Sequence, residues 1–338
     1  MSLLLKLRKY YTAAAVRNVL KTVAPVELTL MSTVFTNRDT VQLPVIPLAE
    51  LRSVIKNMPV VARNGQPLNV SSDSMEVTYV EPLPVKLFAD IDPIMLNNLR
   101  MLSDESIRNY CNRQIANLRE STNLTTEALC AQALFDGKIS YPLQVASAKS
   151  KLYTVSYGTE TIQTVDVADQ ALWNVTGQSR TVVLSLLRNM DNKLTRAGYP
   201  GKRKIFAGVN AFGYLIDLVD QNKDSRTPMR IKEDGTVQIG KFIIQEMSET
   251  YYDAKGEDVP KVPDDEIRMV TPQYTTLKYA AIDDLKANLQ ALPLFVKAVE
   301  DEKAGSLQNI SNSKPLPGVA PASICKAVVV NESVNAAE

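Results

Sequence analysis

Between Ser103 and Gly137 apolar residues recur at helical spacing: Ile107, Tyr110, Cys111, Ile115 and Leu118, then Leu124, Leu129, Leu134 and Phe135. Ser103 is a favoured N-cap, Asp104 and Glu105 complement the helix dipole in the first turn, and Gly137 follows the last periodic residue. The spacing predicts one helix over 103–136, with Glu120-Ser121-Thr122-Asn123 as its weak point. At ~1.5 Å per residue it spans about 50 Å. That exceeds an ordinary globular helix, so it must lie across a domain as a backbone.

Upstream the texture differs. Proline at 25, 44, 47, 59, 67, 82, 84 and 93 forbids long helices. Leu48–Asn57 reads as one short helical stretch, and Asn64-Gly65 is a hairpin-type turn pair. Met75, Val77 and Tyr79 alternate with Glu76 and Thr78, the period of a half-buried strand. The region reads as a long, proline-punctuated hairpin. A two-stranded arm has no core of its own, so its apolar face needs cover from elsewhere.

Downstream, Lys151–Tyr157 alternates like a strand. Val165–Ala197 reads as helical, interrupted near Gly177 and stopped at Gly198-Tyr199-Pro200, with Trp173 packed inside it. Lys204–Val209 reads as a buried strand and Asn210 as the N-cap of a helix over Ala211–Gln221. Arg230–Ile239 carries the hairpin turn Asp234-Gly235. Lys241–Met247, Ile267–Val270 and Thr276–Ile282 read as strands, and Ala327–Val330 as a last strand-like run. Mixed order with hairpins predicts an α+β fold rather than a doubly wound sheet.

The N-terminus opens with Leu3, Leu4, Leu5 and Leu7, a patch too short to span a membrane. Lys6, Arg8, Lys9, Arg17 and Lys21 accompany it, with no acid before Glu27. A basic, acid-free start of this kind also describes a transit peptide. The segment reads equally well as an arm docking on a partner and as an ordinary first helix.

Composition removes several function classes. The 338 residues carry 38 Lys plus Arg against 37 Asp plus Glu, a net charge of +1, so no global field steers nucleic acid. Histidine is absent, which excludes Ser-His-Asp and Cys-His catalysis and every His-ligated metal site. Cys111, Cys130 and Cys325 form no C-x-x-C pair and read as buried thiols. Gly198-Tyr199-Pro200-Gly201-Lys202-Arg203 lacks phosphate-loop spacing, and Lys202, Arg203 and Lys204 read as a solvated or subunit-facing patch. Asp264-Asp265-Glu266 and Asp283-Asp284 read as solvated loop acids without calcium-loop spacing. No nucleophile, base and oxyanion donor assemble. No enzyme activity, metal or cofactor is expected.

The order of parts is a basic arm, a proline-rich hairpin, one very long helix, a mixed α/β stretch and a return strand. It resembles the major capsid proteins of tailed bacteriophages, and more closely their lambda-type family, that of phage lambda protein E. The resemblance rests on Thr40-Val41-Gln42-Leu43-Pro44 with the hairpin to Tyr79, and on Ala89-Asp90-Ile91-Asp92-Pro93 before the long helix. It rests also on Ala133-Leu134-Phe135-Asp136-Gly137-Lys138 at the helix end, and on Leu292-Pro293 to Glu302 followed by Ser313-Lys314-Pro315-Leu316-Pro317.

The resemblance implies a shell subunit with an N-terminal arm over 1–34 and an extended loop over 35–92. A peripheral domain would take 93–160 and 275–338, and an axial domain 161–274. Copies would form hexamers and pentamers of an icosahedral shell around double-stranded DNA, in the virion, after assembly in the host cytoplasm. The implied partners are the chain itself, a portal protein, DNA held by non-specific contact, an optional cement or decoration protein, and no membrane. Some relatives carry a fused scaffolding segment. With the extended loop starting near residue 40, a separate scaffolding protein is expected instead. No lysine–asparagine cross-link is expected. Intersubunit contact is expected of Leu4, Leu7, Met75, Val77 and Tyr79, the apolar positions on segments that cannot cover themselves. Two rivals stand beside this reading: an encapsulin-like nanocompartment shell and an α+β enzyme.

Overall fold

The computed structural model describes residues 7, 9–22, 28–47, 79–91, 93–99, 101–143, 151–157, 161–221, 228–253, 257–301 and 306–331. The expectations for Leu4, Leu48–Asn57, Asn64-Gly65, Met75 and Val77 fall outside them. The chain divides into two compact units, the first made of 1–46, 79–130 and 277–317, the second of 47–78, 131–276 and 318–338.

The first unit is organised by the long helix Asp104–Ala131. Ser103 starts it as expected, its Oγ accepting the Ser106 N–H at 3.2 Å. The weak point does not break it. Thr122, Thr125 and Thr126 turn their hydroxyls onto the carbonyls of Leu118, Ser121 and Thr122, so they are satisfied inside the helix. Ile107, Cys111, Ile115 and Leu118 form its buried stripe. Leu7, Tyr11, Val16 and Val19 pack against that stripe from the N-terminal segment and the helix Ala13–Thr22. Ile91, Val296 and Leu307 reach it from an antiparallel sheet ordered Phe295–Asp301, Ser306–Ser313, Val85–Ile91. The strand Arg38–Val41 runs parallel to Leu277–Ala280.

A buried carboxylate ties the N-terminal region to this helix. Glu127 accepts the Leu30 and Met31 N–H groups at 2.8 and 2.9 Å, at the start of the short helix Thr29–Thr33. The change Glu127→Ala leaves two buried donors without that acceptor, at about 1–3 kcal/mol each. Thermal unfolding of the variant, followed by circular dichroism, is expected to begin several degrees below the parent. An unchanged midpoint contradicts this role.

The second unit is built on a seven-stranded mixed sheet. Its order is Gln163–Thr164, Ile324–Val328, Glu266–Val270, Lys204–Ala207, Phe242–Glu246, Val237–Ile239, Met229–Ile231. The helices Arg180–Arg196 and Val209–Gln221 bury Val183, Leu187, Met190, Leu194 and Ala211, Leu215 in the same core as Ile205, Ile244, Ile267 and Met269. The expected hairpin turn is present, with Gly235 at φ 76°. Gly208 is required by close approach, because a Cβ there would fall 2.1 Å from the Pro263 carbonyl oxygen.

Three readings are corrected in this unit. Residues 165–178 are not helical: Val165 and Val167 alternate with exposed Asp166 and Ala168, Val165 N–H donates to Lys326 O, and only the turn Asp169–Ala171 winds before Arg180. Trp173 is buried as expected, but on a loop, where its backbone N–H donates to Val329 O. Asn210 is not an N-cap. The helix begins at Val209, and the Asn210 amide donates to Asp265 at 2.9 Å. The return strand Ile324–Val328 lies between Gln163–Thr164 and Glu266–Val270, so residues 318–331 belong to the second unit.

Candidate assembly surfaces

The acidic and basic clusters are structural. Lys314 pairs with Asp283, which stays solvated as read from the sequence, whereas Asp284 is mostly buried in its pair with Lys297. Arg203, expected at the surface with Lys202 and Lys204, is buried. It donates to Asp191 at 2.8 Å, to the Tyr199 carbonyl at 2.7 Å and to the Thr271 hydroxyl. Its own sequence neighbours stay exposed because nothing comparable faces them. Burial opposes the Asp191 charge, but hydrogen bonds from Lys241 and Arg203 hold its carboxyl below the ordinary range.

A polar cavity of about 630 Å³ is lined by Asp136, Lys138, Arg268 and Lys326 among others. Arg268 is buried there, with Nη1 donating to the Phe135 carbonyl at 2.7 Å and Nη2 at 2.5 Å from Glu266. The Phe135 carbonyl belongs to a π-turn, Gln132–Asp136, that closes on Gly137 at φ 67°. Burial pushes the Asp136 carboxyl up, against the pull of Arg268, Lys138 and Lys326. These groups neutralise one another and form no acid–base pair aimed at a substrate. All three thiols are buried, and burial pushes Cys325 up to about 11. Among the described residues no cluster has metal-ligand composition, and no helix is long and apolar enough to cross a membrane.

What the surface does present is apolar. Tyr79 is 63% exposed on Tyr79–Val80, which among the described residues pairs only with Ile46–Pro47. Phe88 is 65% exposed on the edge strand Val85–Ile91, and Met101 is 89% exposed just before the long helix, with Ile94 and Leu102 also exposed. Leu7 behaves differently: it has no accessible surface and packs in the first unit's own core. Its apolar demand is met inside the chain, because the helical face it shares with Tyr11 lies on the long helix. Phe88 and Met101 were missed from the sequence. The Lys86, Phe88, Asp90 alternation was the available signal, since an apolar residue in phase with two charges sits on their face.

Large apolar side chains facing outward on edge elements are built to be covered by other protein. The sequence profile described as phage major capsid protein E matches residues 12–329. The chain belongs to that family. It is a structural subunit of a tailed-phage capsid, not an enzyme, and as a capsid protein it assembles with itself and forms part of the virion. No curated relative matches it significantly.

Two solved structures share the fold, and a third is similar at a lower score. A structure described as a prophage capsid protein of Escherichia coli CFT073 is 13% identical, with 97% of this chain and 98% of that one covered at a TM-score of 0.56. A phage-related protein from Bordetella bronchiseptica RB50 is 9% identical, with 93% and 95% covered at a TM-score of 0.53. The SrpI encapsulin of Synechococcus elongatus PCC 7942 is 10% identical, with 95% and 96% covered at a TM-score of 0.47. The α+β mixture of long helix, hairpins and mixed sheet in this capsid subunit is therefore the capsid fold of its family.

Proposed function

We propose that this capsid subunit forms the hexamers and pentamers of an icosahedral shell that encloses a double-stranded DNA genome. A separate scaffolding protein and a portal protein take part in assembly in the host cytoplasm, and a cement or decoration protein is an optional later addition. The observation that carries the reading is the family match over residues 12–329. The exposed Tyr79, Phe88 and Met101 support it, since a lone subunit leaves them in water. The proposed division is an arm over 1–34, an extended loop over 35–92, a peripheral domain over 93–160 and 275–338, and an axial domain over 161–274. Contacts between copies are proposed for Leu4, Met75, Val77 and Tyr79, with Leu7 holding the arm to its own core.

DNA is held by volume and by sequence-independent contacts, consistent with the net charge of +1. Particles purified from infected cells are expected to protect a genome-length DNA from nuclease, without sequence preference. Shells that hold a protein cargo and no DNA would establish the nanocompartment rival instead.

A further inference from the structure

The second unit carries a cationic groove and, elsewhere on its surface, an acidic tongue. The groove runs between the helix Arg180–Arg196 and the extended residues 164–168. It consists of two adjoining cavities of about 360 and 460 Å³ that share Val165, Asp166 and Asn189. One end is apolar, lined by Val165, Val167, Val182 and Leu186. The other carries Lys193 and Arg196 against a single carboxylate, Asp166. Lys193 is engaged with the Thr164 carbonyl, whereas Arg196 is exposed and has no ion-pair partner among the described residues.

The tongue is the hairpin Thr250–Tyr252 with Asp258–Pro260, a two-stranded sheet joined to no other strand among the described residues. Such a hairpin is marginal without cover. Tyr252 is 68% exposed. Asp253, Glu257 and Asp258 lie at its free end, against one cation in the segment, Lys255. Asp253 stiffens that end by accepting the Glu257 N–H at 3.0 Å.

We propose that the acidic tongue of one copy docks in the groove of the next, with Asp258 facing Arg196 and the Tyr252 ring on the Val165, Val182 and Leu186 wall. Two complementary patches at different places on one unit make a head-to-tail contact. Repeated by rotation, such a contact closes a ring. Charge complementarity selects the neighbouring copy as the occupant and sets its register. The proposal rests on self-assembly of the subunit and names where one of its contacts lies.

Charge reversal tests it. Arg196→Glu and Asp258→Lys each place like charges together, and each is expected to lower the yield of sedimenting particles about tenfold or more. The double variant restores opposite charges in swapped positions and is expected to return to within about twofold of the parent. Circular dichroism reports whether each variant folds. Single variants that assemble normally, or a double variant as defective as either single, overturn the contact.

A second measurement does not depend on the reversals folding. In the variant Arg196→Cys/Asp258→Cys, oxidation of assembled particles with copper–phenanthroline is expected to give a ladder of disulfide-linked subunits on a non-reducing gel. The background is low because Cys111, Cys130 and Cys325 are buried. Monomer alone in that gel overturns the proposal. Parent protein that forms no particles even together with the proposed scaffolding protein would instead refute self-assembly, and the contact with it.

Discussion

The double variant Val77→Asp/Tyr79→Asp is expected to fold as the parent does and to close no shells. Tyr79 is 63% exposed on a strand whose only partner among the described residues is Ile46–Pro47. Val77 lies two residues before it in the alternating run Met75, Val77, Tyr79 of the sequence. Tyr79 is in neither large buried cluster, so charge there leaves that packing intact. Covering side chains of this size is worth about 1.5–3 kcal/mol each, and every subunit of a shell repeats the contact. A loss that is modest per pair is therefore prohibitive for closure. Circular dichroism checks the fold and sedimentation checks assembly. Normal particles would show that the loop uses another face. An unfolded subunit would show that this strand belongs to an internal core.

The second large effect is on stability. Arg268 sits in a central strand of the seven-stranded sheet and reaches the π-turn through the Phe135 carbonyl while pairing with Glu266. Arg268→Ala strands a carboxylate and a carbonyl in a buried place, a class of change that costs about 3–5 kcal/mol. For a unit of this size that corresponds to roughly 10 °C in melting temperature. Arg268→Lys keeps the charge but lacks the two-armed reach, so an intermediate loss is expected. Scanning calorimetry that places Arg268→Ala within a degree of the parent would remove Arg268 from this role.

The long helix was the most legible part of the chain. Its stripe is local, and Ser103 and Gly137 punctuate it with a cap and a left-handed stop. The Asp234-Gly235 turn was legible for the same reason. Residues 165–178 were not. Their valines and Trp173 are spaced closely enough to imitate a helix, and what makes them extended is a backbone bond to Lys326, more than 150 residues away. The same non-locality hid the sheet order, in which Ile324–Val328 pairs with two distant strands.

Arg203 shows the limit of reading charge from composition. Its residue type and neighbours suggest solvent, and Asp191 with Thr271 decide otherwise. Leu7 was read with its apolar neighbours as a surface seeking a partner, but the long helix of its own chain takes it up. Of the alternating Met75, Val77 and Tyr79, proposed as a face needing cover, Tyr79 alone lies among the described residues, and it is exposed. The tongue and groove combine segments from separate stretches of chain, and only the fold supplies their complementary charges.

The central claim is that this chain is a shell-forming subunit. Cryo-electron microscopy of particles assembled from it together with the proposed scaffolding protein tests that most directly. The account predicts closed icosahedral shells whose density accommodates the helix Asp104–Ala131 and the seven-stranded sheet in every subunit. Soluble, unassembled protein across the conditions in which the partner is present, or particles whose shell density belongs to another chain, would contradict it.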